Sequence, residues 1–235
     1  MTIVVHDDAE ALSRVAAGWL TKQARAAKGQ LAISLVGGST PRRMYELLAS
    51  TERASFPWDR VHWFIGDERF VPHDHPDSNI RMIREALFSK APVPAENIHP
   101  IAFGESPEAA AHDYERTLQA WYGGEKLDAQ RPLFDVVLLG LGDDGHTASL
   151  FPGTDALNER THWATTVIGA MPQPRITLTY PVLQSSRAVA FLVSGSGKRE
   201  ALRRIWRGDD LPAARLRPEG ELIWFIDRAA DPRAA

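Results

Sequence analysis

Cysteine is absent from the chain, which excludes disulfides, thiolate catalysis and cysteine-based zinc sites together. Its absence is compatible with a reducing cytoplasm. Charge of one sign is scarce too. The formal net charge is −3 over 235 residues, so no broad basic face for nucleic acid is expected. Long hydrophobic runs are missing. The most apolar stretches, such as Val136–Leu141, are far too short to span a bilayer, and no membrane partner is expected. A secretory leader wants a basic start and then a long apolar core, whereas Asp7, Asp8 and Glu10 crowd the first ten residues. There is no G-x-S-x-G elbow, no internal repeat and no low-complexity tract. Covalent hydrolysis thereby loses its usual nucleophiles, and water activated by a base is the simpler chemistry.

What is present suits one α/β domain over residues 1–235. Apolar residues make up 44% of the chain and charged residues 24%, enough for a sizeable core and no indication of disorder. Apolar spacing predicts a helix over Asp8–Ala27, with Leu12, Val15, Ala16, Trp19 and Leu20 on one face and Gly29 ending it. Further helices are expected from Pro41 to Ala49, over Ser78–Ser89 with Ser78 as cap, over Ser106–Trp121 and over Lys198–Trp206. Strands are expected at Leu31–Val36, Val61–Ile65, Phe134–Leu139, Ala188–Val193 and Glu221–Ile226, and Thr161–Val167 and Arg175–Thr179 are β-rich. Strands alternating with helices predict a doubly wound, mostly parallel, Rossmann-like sheet flanked by helices. Gly123–Arg131 reads as a loose loop, and Ala229–Ala235 as a fraying tail. Trp19, Trp63, Trp206 and Trp224 fall on apolar faces and read as core.

Ligands of such sheets bind beyond the carboxyl ends of the strands, and the chemically suggestive segments fall there. Gly37-Gly38-Ser39-Thr40-Pro41 follows one strand. Glycines let backbone N–H groups approach an anion, Ser39 and Thr40 add hydroxyls, and a helix start adds positive potential. A tight turn with Ser/Thr capping is the plainer reading. Ser194-Gly195-Ser196-Gly197-Lys198 repeats the logic, with Lys198 as a point charge for a phosphate monoester. Arg199 follows where a P-loop would carry Ser or Thr, so nucleotide binding is not indicated. Gly66-Asp67-Glu68-Arg69 with Asp77-Ser78-Asn79 brings polar groups to a third strand end, where Arg69 can grip oxygens bidentately or join a surface ion-pair network. Arg175 is a second phosphate candidate or a solvated edge residue.

Gly140-Leu141-Gly142-Asp143-Asp144-Gly145 spells G-x-G-x-x-G. Two aspartates would then face a pyrophosphate where positive potential is wanted, so no dinucleotide is expected. His146 follows at the mouth of the sheet. Imidazole moves protons near neutral pH, and Asp143 or Asp144 can orient it. A helix-start histidine between capping aspartates fits the same residues. His73-Asp74-His75 with Asp77 offers no helical i, i+4 pair, and no metal is assigned to it.

Together these segments resemble the 6-phosphogluconolactonases. The resemblance is carried by Gly37–Pro41, Asp67-Glu68-Arg69-Phe70-Val71-Pro72 with Ser78-Asn79, Gly140–Gly153, Arg175–Thr179 and Gly197-Lys198, in family order from about Ile33 to Leu202. It implies cytoplasmic hydrolysis of 6-phospho-D-glucono-1,5-lactone, a fold shared with glucosamine-6-phosphate deaminases, and no required cofactor. The partner expected is a small phosphorylated sugar lactone, handled by a monomer or small homo-oligomer. The site expected has His146 as base, Asp144 beside it and Arg69 near the oxyanion. Gly38, Ser39, Thr40, Arg175 and Lys198 would hold the phosphate, with Asp67 and Asn79 on sugar hydroxyls. Deaminases are similar in two of these blocks but carry a glutamate where this chain has Phe151, and typically a tyrosine where it has Arg69. A deaminase-like enzyme and a non-catalytic sugar-phosphate sensor remain as alternatives.

Overall fold

A computed structural model describes residues 1–234. In chain order the elements are β1 (Thr2–His6), α1 (Ala9–Ala26), β2 (Leu31–Leu35), α2 (Ser39–Ser50), β3 (Val61–Ile65), β4 (Asp67–Arg69), α3 (Asn79–Ile83), β5 (Ile98–His99), α4 (Pro107–Tyr122), β6 (Val136–Leu139), β7 (Ala164–Val167), β8 (Arg175–Leu178), α5 (Tyr180–Gln184), β9 (Ala188–Val193), α6 (Arg199–Arg207) and β10 (Glu221–Asp227). Local chemistry sets several of the boundaries. The Asp8 carboxylate accepts from Ala11 N at 2.8 Å and starts α1. Ser106 accepts from Ala109 N at 3.1 Å, Pro107 occupies the first turn of α4, and Gly123 ends it at φ 74°.

Seven strands form one parallel sheet in the order β1-β10-β9-β6-β2-β3-β5. Its central strands β2, β6 and β9 are buried along their whole length, as parallel strands covered on both faces must be. The chain runs outward from β2 to β3 on one side and from β6 through β9 to β10 on the other. The order therefore reverses between β2 and β6, where loops leaving the carboxyl ends part and open a crevice. Two tyrosines pin the rim of that crevice. Tyr45 Oη accepts from Val36 N at 3.0 Å and donates to Val36 O at 2.8 Å. Tyr114 Oη does the same at Ile65, at 2.7 and 2.9 Å. Each buried phenol satisfies both polar groups of the residue where a strand gives way to a site loop.

The two β-rich stretches are strands, but they do not enter the parallel sheet. β4, β8 and β7 make a separate three-stranded antiparallel sheet. The switch occurs at Gly66, whose N–H still bonds Leu35 O at 2.8 Å while its carbonyl accepts from Leu178 N at 2.9 Å. Other expectations need correction. The helix after Ser78 turns into a π-helical segment at Arg84–Phe88. The 123–131 loop is tied down, since Tyr122 Oη accepts from Asp128 N and donates to Arg131 O. The tail does not fray through its described part: Ala230 is fully buried, and Arg233 lies 5.0 Å over the Trp206 ring. Ala235 lies outside the described residues. Trp63 and Trp224 are core, while Trp19 and Trp206 pack half-buried against it. No described helix is long and apolar enough to cross a membrane.

One acid-sensitive contact sits at the β3–β5 edge. His62 Nδ1 and His99 Nε2 are 3.0 Å apart, sandwiched against Phe64 and Trp121. Burial lowers both imidazoles, and the neighbouring His62 helps to push His99 down to about 4. Each group therefore binds fewer protons folded than unfolded. Its stabilisation is present above the unfolded value near pH 6.5 and is lost as pH falls toward 4. The melting temperature should drop across that window, and His99→Gln should flatten the drop. Superimposable melting profiles of the two proteins against pH would refute this account.

Candidate active site

A cleft of about 560 Å³ opens at the β2–β6 crevice. Its walls come from Val36–Gly38 after β2, Asp67 and Arg69 on β4, Asn79 on α3, Gly140–Asp144 and His146–Ser149 after β6, Phe151, Met171, Arg175 on β8 and Lys198 before α6. A larger cleft of about 820 Å³ lies by the amino-terminal ends of β1 and β10, lined by residues such as Trp206, Trp224 and Arg215. It gathers no comparable set of base and cations.

The segment from Gly140 to Gly153 forms no helix. A dinucleotide fingerprint requires one, so the G-x-G-x-x-G match has no structural counterpart. Instead the chain folds back on itself. Gly142 N donates to His146 O at 2.8 Å, Thr147 Oγ1 donates to Gly140 O at 2.9 Å, and Gly145 takes φ 86°. This hairpin-like turn presents His146. The Asp144 carboxylate accepts from His146 N at 3.0 Å and stands 2.6 Å from His146 Nδ1. Burial opposes the Asp144 charge, but the His146 backbone and ring hydrogen bonds outweigh it and hold the carboxyl below its ordinary range. An ionised carboxylate only accepts, so Nδ1 carries a proton, and in the neutral ring the lone pair falls on Nε2. Phe151 packs on the ring at 4.4 Å between centroids.

The adjacent acid has a different partner. Asp143 Oδ1 lies 2.6 Å from Lys198 Nζ, across the cleft mouth from the His146–Asp144 pair. The residue types alone left Asp143 and Asp144 open as partners of His146; the geometry puts Asp144 there, the residue that the resemblance placed beside it.

Cations from the small sheet line the same cleft. Arg69 and Arg175 are register partners across the antiparallel β4–β8 pair. Arg69 donates to Asp77 O. Arg175 is 5% exposed, and its Nη1 is buried with no partner among the described residues. Burial and then the like charge of Arg69 work against the Arg175 guanidinium, with Asp67, Glu68 and Asp77 offsetting them. Two such groups side by side, one with an orphan donor, fit an anionic ligand.

Asp67 is buried, and its Oδ2 accepts from Ser149 Oγ at 2.7 Å. Asn79 Nδ2 donates to Asp67 O at 2.8 Å. Its amide leaves no room beside Gly37, where a Cβ would lie 1.9 Å from Asn79 Oδ1. Of the ten residues expected at the site, eight line the cleft: Gly38, Asp67, Arg69, Asn79, Asp144, His146, Arg175 and Lys198. Ser39 and Thr40 do not. Helix α2 starts two residues before Pro41, so both are taken into its first turn, with Gly38 as N-cap at φ 110° and no side-chain cap. What approaches the cleft from this loop is the Gly37–Gly38 backbone.

Sequence reasoning missed the role of Glu68. Its buried carboxylate accepts from Arg69 N and Asn79 N through Oε1, and from Ile80 N and Ser78 Oγ through Oε2. It thereby ties β4 to the start of α3. Met171, from the β7–β8 connection, was also missed and carries no chemical signature.

Fold and cleft together define a Rossmann-like α/β protein with an oriented histidine facing a cationic wall, an arrangement suited to a small anionic substrate. The family model described as glucosamine-6-phosphate isomerases/6-phosphogluconolactonase matches residues 7–224, and the chain belongs to this family. The 6-phosphogluconolactonase of a Nostoc species is 44% identical over 218 residues, covering 90% of this chain and 88% of the relative. That of a Synechocystis species is 45% identical over 213 residues, covering 88% and 86%. The crystal structure of the 6-phosphogluconolactonase from Thermotoga maritima superposes with a TM-score of 0.84 at 32% identity, over 96% of this chain and 99% of that one.

Proposed function

We propose that this chain hydrolyses 6-phospho-D-glucono-1,5-lactone to 6-phosphogluconate by water that His146 activates. The observation that carries this reading is the environment of the imidazole. Asp144 holds Nδ1 at 2.6 Å, and the other neighbour is the Phe151 ring, not a carboxylate. A deaminase needs an acid beside its histidine for ring opening. An apolar ring there leaves one base, which suffices for attack of water on an ester.

In the proposed reaction the Gly37–Gly38 backbone, Arg175 and Lys198 hold the 6-phosphate. Nε2 of His146 takes a proton as the water oxygen bonds to the lactone carbonyl carbon. Arg69 offsets the charge that develops on the carbonyl oxygen. The carbon–ring-oxygen bond then breaks, and His146 returns the proton to the departing oxygen. Asp67, steadied by Ser149, keeps one carboxylate oxygen for a sugar hydroxyl. Asn79 acts mainly by holding the Asp67 and Gly37 backbones in place. The lactone hydrolyses unaided, so one base and good positioning meet the modest acceleration required.

The test is to add the protein to freshly made lactone and follow acid release in a pH-stat. Faster acid release supports the lactonase. Ammonia from glucosamine 6-phosphate would instead support a deaminase, and binding of the lactone without faster acid release a sensor. Lys198→Ala should raise KM for the phosphorylated lactone about 10- to 100-fold, the worth of one hydrogen bond to a charged group. The unphosphorylated lactone should be little affected. Equal losses on the two lactones would remove Lys198 from the phosphate site.

A further inference from the structure

We propose that Asp227 is a positioning residue for phosphate recognition: it fixes the turn that delivers Lys198 to the cleft. The inference rests on the reading of Lys198 as a phosphate ligand. Asp227 ends β10, is 4% exposed, and does not line the cleft. Its carboxylate accepts from Ser194 Oγ at 2.5 Å, from Gly195 N at 3.1 Å and from Ala230 N at 2.8 Å. Gly195 O in turn accepts from Lys198 N at 3.1 Å. The carboxylate thus grips the N–H of the same residue whose carbonyl holds the lysine turn. A second strap joins the same two segments, since Arg199 Nε donates to Ala229 O at 3.2 Å.

Among the described residues no cation pairs with Asp227, so its burial is compensated by donors alone. A carboxylate meets all of those donors at once. An asparagine keeps one oxygen for Gly195 and Ala230 but turns its N–H₂ toward Ser194, whose hydroxyl must then reverse and accept, and the charge-assisted hold on the turn is lost. The turn would then swing and carry Lys198 off its anion.

Kinetics on phosphorylated and unphosphorylated gluconolactone, with melting temperatures, test the proposal for wild type, Asp227→Asn, Ser194→Ala, Lys198→Ala and the Asp227→Asn/Lys198→Ala double variant. Asp227→Asn should raise KM for the phosphorylated lactone about tenfold with kcat nearly kept. It should spare the unphosphorylated lactone and add nothing to Lys198→Ala in the double variant. Ser194→Ala keeps the carboxylate and removes one donor, so a smaller shift of the same kind is expected even if Asp227→Asn folds poorly. An unchanged KM, equal losses on both lactones, or effects additive with Lys198→Ala would overturn the proposal and leave Asp227 a purely structural group. If Lys198→Ala itself spares the phosphorylated substrate, the phosphate-site reading fails and takes this one with it. If Lys198→Ala abolishes the preference and Asp227→Asn does not, only the Asp227 brace fails.

Discussion

His146→Ala should lower kcat on 6-phosphogluconolactone about 10²- to 10⁴-fold, the usual contribution of a positioned general base. The side chain is 31% exposed and lies against Asp144, Phe151 and the Gly142 backbone. Little packing is lost on truncation, so stability should change by no more than about 1 kcal/mol. KM should move less than kcat, because Arg175, Lys198 and the Gly37–Gly38 backbone are untouched. Asp144→Asn should cost less than the alanine variant. An amide in its place can still accept from Nδ1, but it no longer stabilises the imidazolium formed as water attacks. Turnover of His146→Ala near that of wild type, on folded protein, would sink the assignment of the base.

Gly142→Ala should reproduce much of that loss with the histidine still present. A Cβ at position 142 would lie 2.0 Å from His146 Nδ1, 2.2 Å from its Cε1 and 2.7 Å from Asp144 Oδ1. No real Cβ approaches other atoms so closely, so something must shift. The backbone is the stiffer party, since Gly142 N is bonded to His146 O at 2.8 Å. The ring and the carboxylate are therefore what move, and their 2.6 Å contact breaks. Gly142 is not among the residues with positive φ, so alanine brings no backbone strain to confuse the result. A displacement of about 1 Å at a reacting group costs about 100-fold, and kcat should fall by that order. The Gly142→Ala/His146→Ala double variant should be no slower than His146→Ala alone, because both changes disable one group. An active Gly142→Ala enzyme would mean that the ring works from another position.

How far the site was legible depends on how local each signal is. β3 and β9 were read to the residue, and Ser78 was recognised as a cap, because apolar runs and capping pairs span only a few positions. The parallel sheet followed from the alternation of elements. β4 and β5 escaped notice, being three and two residues long with no period to detect. That β7 and β8 leave the main sheet depends on Gly66 bonding to both sheets, which no local pattern encodes. Eight expected residues share the cleft because seven of them follow parallel strands or lie on the small sheet beside their ends, and Asn79 opens α3, which Glu68 ties to that sheet. Ser39 and Thr40 fall outside the cleft lining, because α2 begins two residues before Pro41 and takes them into its first turn. Glu68 and Asp227 stayed hidden for another reason. Their donors lie up to 12 and 33 positions away, and only the folded chain makes them neighbours.

The seam between β2 and β6 has a further consequence. It is only two residue pairs long, Ile33 with Val136 and Ser34 with Val137, supported by Asp135 accepting from Ala32 N at 3.0 Å. The partners stand about a hundred positions apart in the chain, so the seam closes only after a large loop has been drawn in, an entropic cost met late in folding. Yet the crevice above it is where Gly38 and His146 face one another. Either half of the sheet, formed alone, would hold half of the catalytic apparatus and turn over nothing. Recovery of activity during refolding is therefore expected to report the joining of the two halves and to trail recovery of secondary structure.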